Sequence, residues 1–144
     1  VSMGEPFLGF PSRQGTVLYL ALEDTCERLQ KRLSQMTDSD SPKLKLSVIS
    51  ETLEEDLTER LRLFLLHEAD TVLIVIDTLQ RIRGKTPDSG SYAADYETVE
   101  KLKEISDLYG IALLLVHHTR KEGAEDIFNT ISGTNGSRWC ADFV

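Results

Sequence analysis

Five apolar residues, Val72-Leu73-Ile74-Val75-Ile76, four of them β-branched, run without a break into a carboxylate, Asp77. A run this apolar reads as a strand buried on both faces, the usual state of a strand in a parallel sheet. A parallel sheet needs long crossovers, so this one segment already asks for helices on either side of it. It also places Asp77 at the carboxyl end of a strand, the rim where open α/β folds bind their ligands.

The flanking segments fit that requirement. Residues 16–22 (Thr-Val-Leu-Tyr-Leu-Ala-Leu) follow Gly15 and predict a strand ending at Glu23-Asp24. Residues 25–36 put Leu29, Leu33 and Met36 at helical spacing, with Thr25 or Asp24 as the cap. Residues 37–43 are a loop by composition, and 44–49 alternate as a short strand near an edge. Residues 52–68 carry Leu53, Leu57, Leu61, Phe64 and Leu65 on one stripe, an amphipathic helix. After the Asp77 strand, residues 84–90 are a loop. Residues 92–109 predict a helix with Tyr96, Val99, Leu102, Ile105 and Leu108 inward and Gly110 as its C-terminal cap. Ile111 to Val116 is a second wholly apolar strand, residues 120–138 are polar, and Asp142-Phe143-Val144 begins another strand. The alternation of strand and helix predicts a single α/β domain over residues 1–144, with a mostly parallel sheet flanked by helices.

Bulk properties exclude several classes. No apolar run nears the roughly 20 residues needed to cross a bilayer, so no membrane partner is expected. Cys26 and Cys140 show no metal-type spacing, which predicts free thiols in a reducing, cytoplasmic setting. A net charge of −8 argues against attachment to nucleic acid by bulk electrostatics, though not against a local basic strip. Arg81, Arg83 and Lys85 after one strand, with Arg120 and Lys121 after another, could form such a strip or stand as scattered loop charges.

Three strand ends carry chemistry: Glu23-Asp24, Asp77-Thr78 and His117-His118-Thr119. Parallel strands bring all three to one rim, where two acids and a His or Thr could orient a water, hold a metal and sense a phosphate. The plainer alternative is that strand ends are polar because loops are wet. A transition-metal site built from Glu23, Asp77 and His117 or His118 is a further alternative, disfavoured because adjacent residues leaving a strand point in different directions.

The segments Gly-Thr-Val-Leu-Tyr-Leu-Ala-Leu-Glu-Asp (15–24), Leu-Ile-Val-Ile-Asp-Thr-Leu-Gln-Arg (73–81), Leu-Leu-Leu-Val-His-His-Thr-Arg-Lys (113–121) and Ile-Ser-Gly-Thr-Asn-Gly (131–136), in this order, resemble the RecA-like ATPase core. Within it they look most like the family of the plasmid replicative helicase RepA and related phage and mobile-element ATPases. The resemblance implies an oligomeric ATP-dependent motor or recombination-type ATPase acting on DNA, with Mg²⁺ and ATP as cofactors. It implies that Glu23 polarises the attacking water and that Asp77 is the Walker B aspartate on Mg²⁺, with Thr78 and Thr119 beside the nucleotide. His118, with His117 next to it, matches the sensor at the terminal phosphate. Residues 119–138, including Arg120, Lys121 and Arg138, match the loop that faces DNA or a neighbouring subunit.

The chain departs from that family in one large respect. No Gly-x-x-x-x-Gly-Lys-Ser/Thr occurs, and Gly84-Lys85-Thr86 stands after the Asp77 strand, in the wrong place for a phosphate loop. The arginine finger is also displaced, with Arg138 near the position where the family has it. The chain is therefore expected to be the central part of such an ATPase. It would begin inside the helix after the phosphate loop, lack the first strand, and bind ATP weakly or not at all by itself. The absent strand would leave an apolar edge beside residues 111–116 and favour self-association. A degenerate, non-catalytic module that regulates a partner and a metal-dependent hydrolase are the competing expectations.

Overall fold

The computed structural model describes residues 1–48, 56–82 and 92–117. Its elements run β1 (Thr16–Ala21), α1 (Cys26–Met36), β2 (Leu44–Ser47), α2 (Asp56–His67), β3 (Thr71–Asp77), α3 (Leu79–Ile82), α4 (Tyr92–Tyr109) and β4 (Ala112–Val116). The strands form one sheet in the order β2-β1-β3-β4, and every pairing is parallel. This is an α/β fold consistent with a RecA-like core. Its one unforeseen element, α3, is a single turn, too short to show any periodicity in the sequence.

Alternation along the strands divides the side chains between two faces. Leu18 and Leu20 of β1 and Ile74 and Ile76 of β3 point to one face. There they meet Leu57, Leu61 and Leu65 of α2 and Val99, Leu102 and Ile105 of α4. Each of these side chains, fully buried, contributes about 1.5–3 kcal/mol relative to exposure. The three- and four-residue spacing in each helix is what brings its apolar residues to one stripe over the sheet. On the opposite face Leu29 and Leu33 of α1 line a groove of about 250 Å³ with Leu46 and Val48. Helix α1 starts where the sequence places it: Thr25 is the cap, its hydroxyl accepting from Arg28 N at 3.3 Å. Gly110, with φ of 62°, closes α4 in the left-handed conformation.

Several expectations change. Residues 1–14 hold turns instead of a helix. Gly4 and Gly9 have positive φ, and Phe7 and Phe10 exchange two backbone hydrogen bonds of 2.9 Å around Leu8-Gly9. Pro6 and Pro11 on either side lock φ and deny the N–H groups a helix would use. In α4, Tyr96 and Leu108 are exposed instead of inward, because the buried stripe is only as wide as the sheet edge it covers: Val99, Leu102 and Ile105. In β4 the all-apolar run does not mean burial on both faces, since Leu114 and Val116 stand exposed. Leu53, residues 83–91 and residues 118–144 lie outside the described residues. Among those described, no helix is long and apolar enough to cross a membrane.

Candidate functional site at the sheet rim

The parallel register does what the spacing of strand ends predicts. Ala21 pairs with Asp77, and Asp77 with Val116. The residues that follow, Glu23, Thr78 and His117, therefore leave the sheet at one rim. Leu22 N donates to the Asp77 carbonyl at 2.7 Å, which locks the two strand exits together. The peptide between Asp77 and Thr78 is cis.

Thr78 is almost fully buried, and a buried hydroxyl needs a partner. It donates to Glu23 Oε1 at 3.0 Å. Arg81 reaches the same oxygen with Nε at 3.4 Å. Helix α3 places it there, because Arg81 N donates to the Thr78 carbonyl at 3.0 Å and so turns the chain back over the rim. Glu23 is thus held by a hydroxyl from β3 and a guanidinium from α3.

Asp77 is held from the neighbouring strand, where the Tyr19 hydroxyl donates to its Oδ2 at 2.6 Å. Burial, and then the Asp77 carboxylate itself, pushes the Tyr19 phenol up to about 12. Asp24, beside Glu23, turns instead to α1. Its side chain is only 9% exposed, and it accepts from Arg32 Nη1 at 2.8 Å, from Arg28 Nε at 3.1 Å and from Thr25 N at 3.0 Å. Glu23, Asp24, Arg32, Asp77 and Thr78 line one open cavity of about 230 Å³. On the far side His117 Nδ1 lies 3.4 Å from Gln80 Nε2, and the amide donates when the neutral ring carries its proton on Nε2.

The rim therefore brings Glu23, Asp77 and Thr78 to one cavity, while His117 leaves the next strand of the same rim beside Gln80 and does not line that cavity. His118, Thr119, Arg120, Lys121 and Arg138 lie outside the described residues. Among the described residues no three or more His, Cys, Asp or Glu side chains converge as a metal-holding group, and the hydrolase expectation finds no support there. Arg28 and Arg32 were missed by the sequence reading, although their places four and eight residues beyond Asp24 on one helix face were a signal for them. Tyr19 and Gln80 were missed too and left no such signal, since each meets its partner across an element boundary.

A family model described as an AAA domain matches residues 1–124. No curated protein matches the chain.

Proposed function

The chain belongs to the AAA domain family, and from that membership we propose that its rim is the hydrolytic side of an Mg²⁺–ATP site in a RepA-type motor acting on DNA. The observation that carries the proposal is the Thr78–Glu23 hydrogen bond of 3.0 Å. It joins the ends of β1 and β3 so that two carboxylates of different surroundings, Glu23 and Asp77, flank one cavity.

Glu23 is the base that orients the attacking water and takes its proton. Thr78 and Arg81 hold its Oε1 and so fix the carboxylate at the rim. Asp77 fits a divalent cation by its donor chemistry: a hard carboxylate oxygen at an open rim, where a cation keeps most of its water shell. Mg²⁺ bound there neutralises charge on the phosphate oxygens. Thr78 and Thr119 stand beside the nucleotide in this reading. His117 and His118 sense its terminal phosphate, and Arg120, Lys121 and Arg138 meet DNA or the next subunit of a homo-oligomer. Residues 1–144 form one domain in the cytoplasm.

No phosphate loop of the Gly-x-x-x-x-Gly-Lys-Ser/Thr form is present in the sequence, so binding and hydrolysis need to be measured separately. Calorimetry with Mg²⁺-ATP on the protein as its gene encodes it, beside the 144-residue chain, measures the first. A phosphate-release assay measures the second. Glu23→Gln is expected to keep binding and lose hydrolysis by about 10²- to 10⁴-fold, the usual worth of a positioned base. Asp77→Asn is expected to weaken the Mg²⁺-dependent part of binding. Absence of nucleotide binding in every form would overturn the reading and leave a non-catalytic partner module on the same fold.

A further inference from the structure

Along β1, Val17, Tyr19 and Ala21 share one face, while Leu18 and Leu20 enter the core on the other. Register sets Tyr19 opposite Val75 and Ala21 opposite Asp77. Tyr19 and Asp77 are therefore diagonal neighbours on one face of adjacent strands, a separation that an aromatic side chain can span. The phenol covers it and meets Oδ2 at 2.6 Å, within the range of about 2.5–2.7 Å of a charge-assisted O–H···O⁻ bond.

Packing does not explain the hydroxyl. Its neighbours along the sheet on that face are Val17 and Ala21 in β1, Leu46 in β2 and Val75 in β3, all apolar, and a phenylalanine would fill the same space. Nor does the strand end need it, because a carboxylate at an open rim finds water as a donor. What the hydroxyl adds is direction. The terminal torsion of an Asp side chain is broad. A donor fixed on the neighbouring strand selects one orientation of the carboxylate before any ligand arrives.

We propose that Tyr19 is the positioning residue for the cation-binding carboxylate, tying down Oδ2 of Asp77 so that Oδ1 is presented to the rim cavity. The proposal rests on the reading of Asp77 as the residue that holds Mg²⁺. Partners that hydrogen-bond a ligating carboxylate orient it and tune it, and losing one costs about 10- to 100-fold in metal affinity.

The test uses Mn²⁺ as the probe, titrated with ATP into the protein as its gene encodes it and followed by loss of the free-ion electron paramagnetic resonance signal. Tyr19→Phe keeps the ring and removes only the donor. It is expected to weaken Mn²⁺ retention by about tenfold, at the low end for a water-mediated ligand, with little change in the thermal midpoint. Tyr19→4-aminophenylalanine, which restores a donor at the same place, is expected to recover most of the affinity, and it also serves if the phenylalanine variant does not fold. Unchanged Mn²⁺ affinity in Tyr19→Phe, with Asp77→Asn still weakened, would overturn the positioning role and leave the cation reading intact. If Asp77→Asn also binds as the unaltered protein does, or the unaltered protein retains no Mn²⁺, the cation reading fails and Tyr19 loses its role with it.

Discussion

Asp70 is gripped from two strands at once. Lys43 Nζ, entering β2, lies 2.6 Å from one carboxylate oxygen, and the Thr16 hydroxyl of β1 donates to the other at 2.7 Å. Lys43 first, and then Thr16, hold the Asp70 carboxyl below its ordinary value of 3.8. A carboxylate depressed in the folded state adds stability above its unfolded value, and that contribution disappears as the pH falls through the lower folded value. Asp70→Asn is therefore expected to lower the thermal midpoint at neutral pH, with the gap from the unaltered protein closing below pH 3.8. Thermal melts of both proteins in a pH series check this, and a gap that stays constant into acid would contradict it. Residues of this kind divide sharply by how much of them a sequence reveals. Glu23 and Asp77 were legible because a carboxylate that ends an apolar run can only sit at a strand exit. Tyr19 was not, because its partner lies 58 positions away, and only the register of β1 against β3 shows that the two share a face.

Register also explains the crowded entry to β1. Thr16 pairs with Thr71, but Val17 pairs with Leu73, so Val72 is an extra residue that bulges against β1. Its side chain and the Asp70 carbonyl crowd the residue before β1, Gly15. A Cβ there would stand 2.6 Å from that carbonyl oxygen and closer still to Val72. Backbone cannot rotate out of the way as a side-chain tip can. Gly15→Ala is thus expected to destabilise the fold by about 1–3 kcal/mol, the usual cost of overpacking. Urea denaturation should show a lower midpoint at an unchanged slope. Elements with long, regular patterns were legible: the strand of Asp77, the stripe Leu57-Leu61-Leu65, and the helix ended by Gly110. Bulges, the single turn α3 and the Leu8-Gly9 turn were not, because each depends on one or two residues whose setting is fixed by neighbours distant in sequence. The inward face of α4 was partly legible. Periodicity gives its direction, but how much of it the sheet covers depends on tertiary packing.

At the scale of the whole molecule, the parallel sheet collects at one rim what the sequence scatters over nearly a hundred residues, Glu23 to His117. The same molecule carries 24 acidic residues against 16 Lys and Arg. A chain this acidic repels the phosphate backbone overall, so any contact with DNA has to be made by a few local cations. Under the proposed function these are Arg120, Lys121 and Arg138. Each phosphate neutralised releases counterions, and the slope of log K against log salt is about −0.7 per contact for single strands and −0.9 for duplex. Three contacts per subunit then predict a slope of about −2 to −3. Oligonucleotide binding measured by fluorescence anisotropy across a salt series reads that slope directly. A value of this size, made shallower by about one unit in Arg120→Ala, fits DNA held by those few cations. A slope near zero would mean that DNA is not the partner of this surface. A much steeper slope would require a basic face larger than these three residues supply.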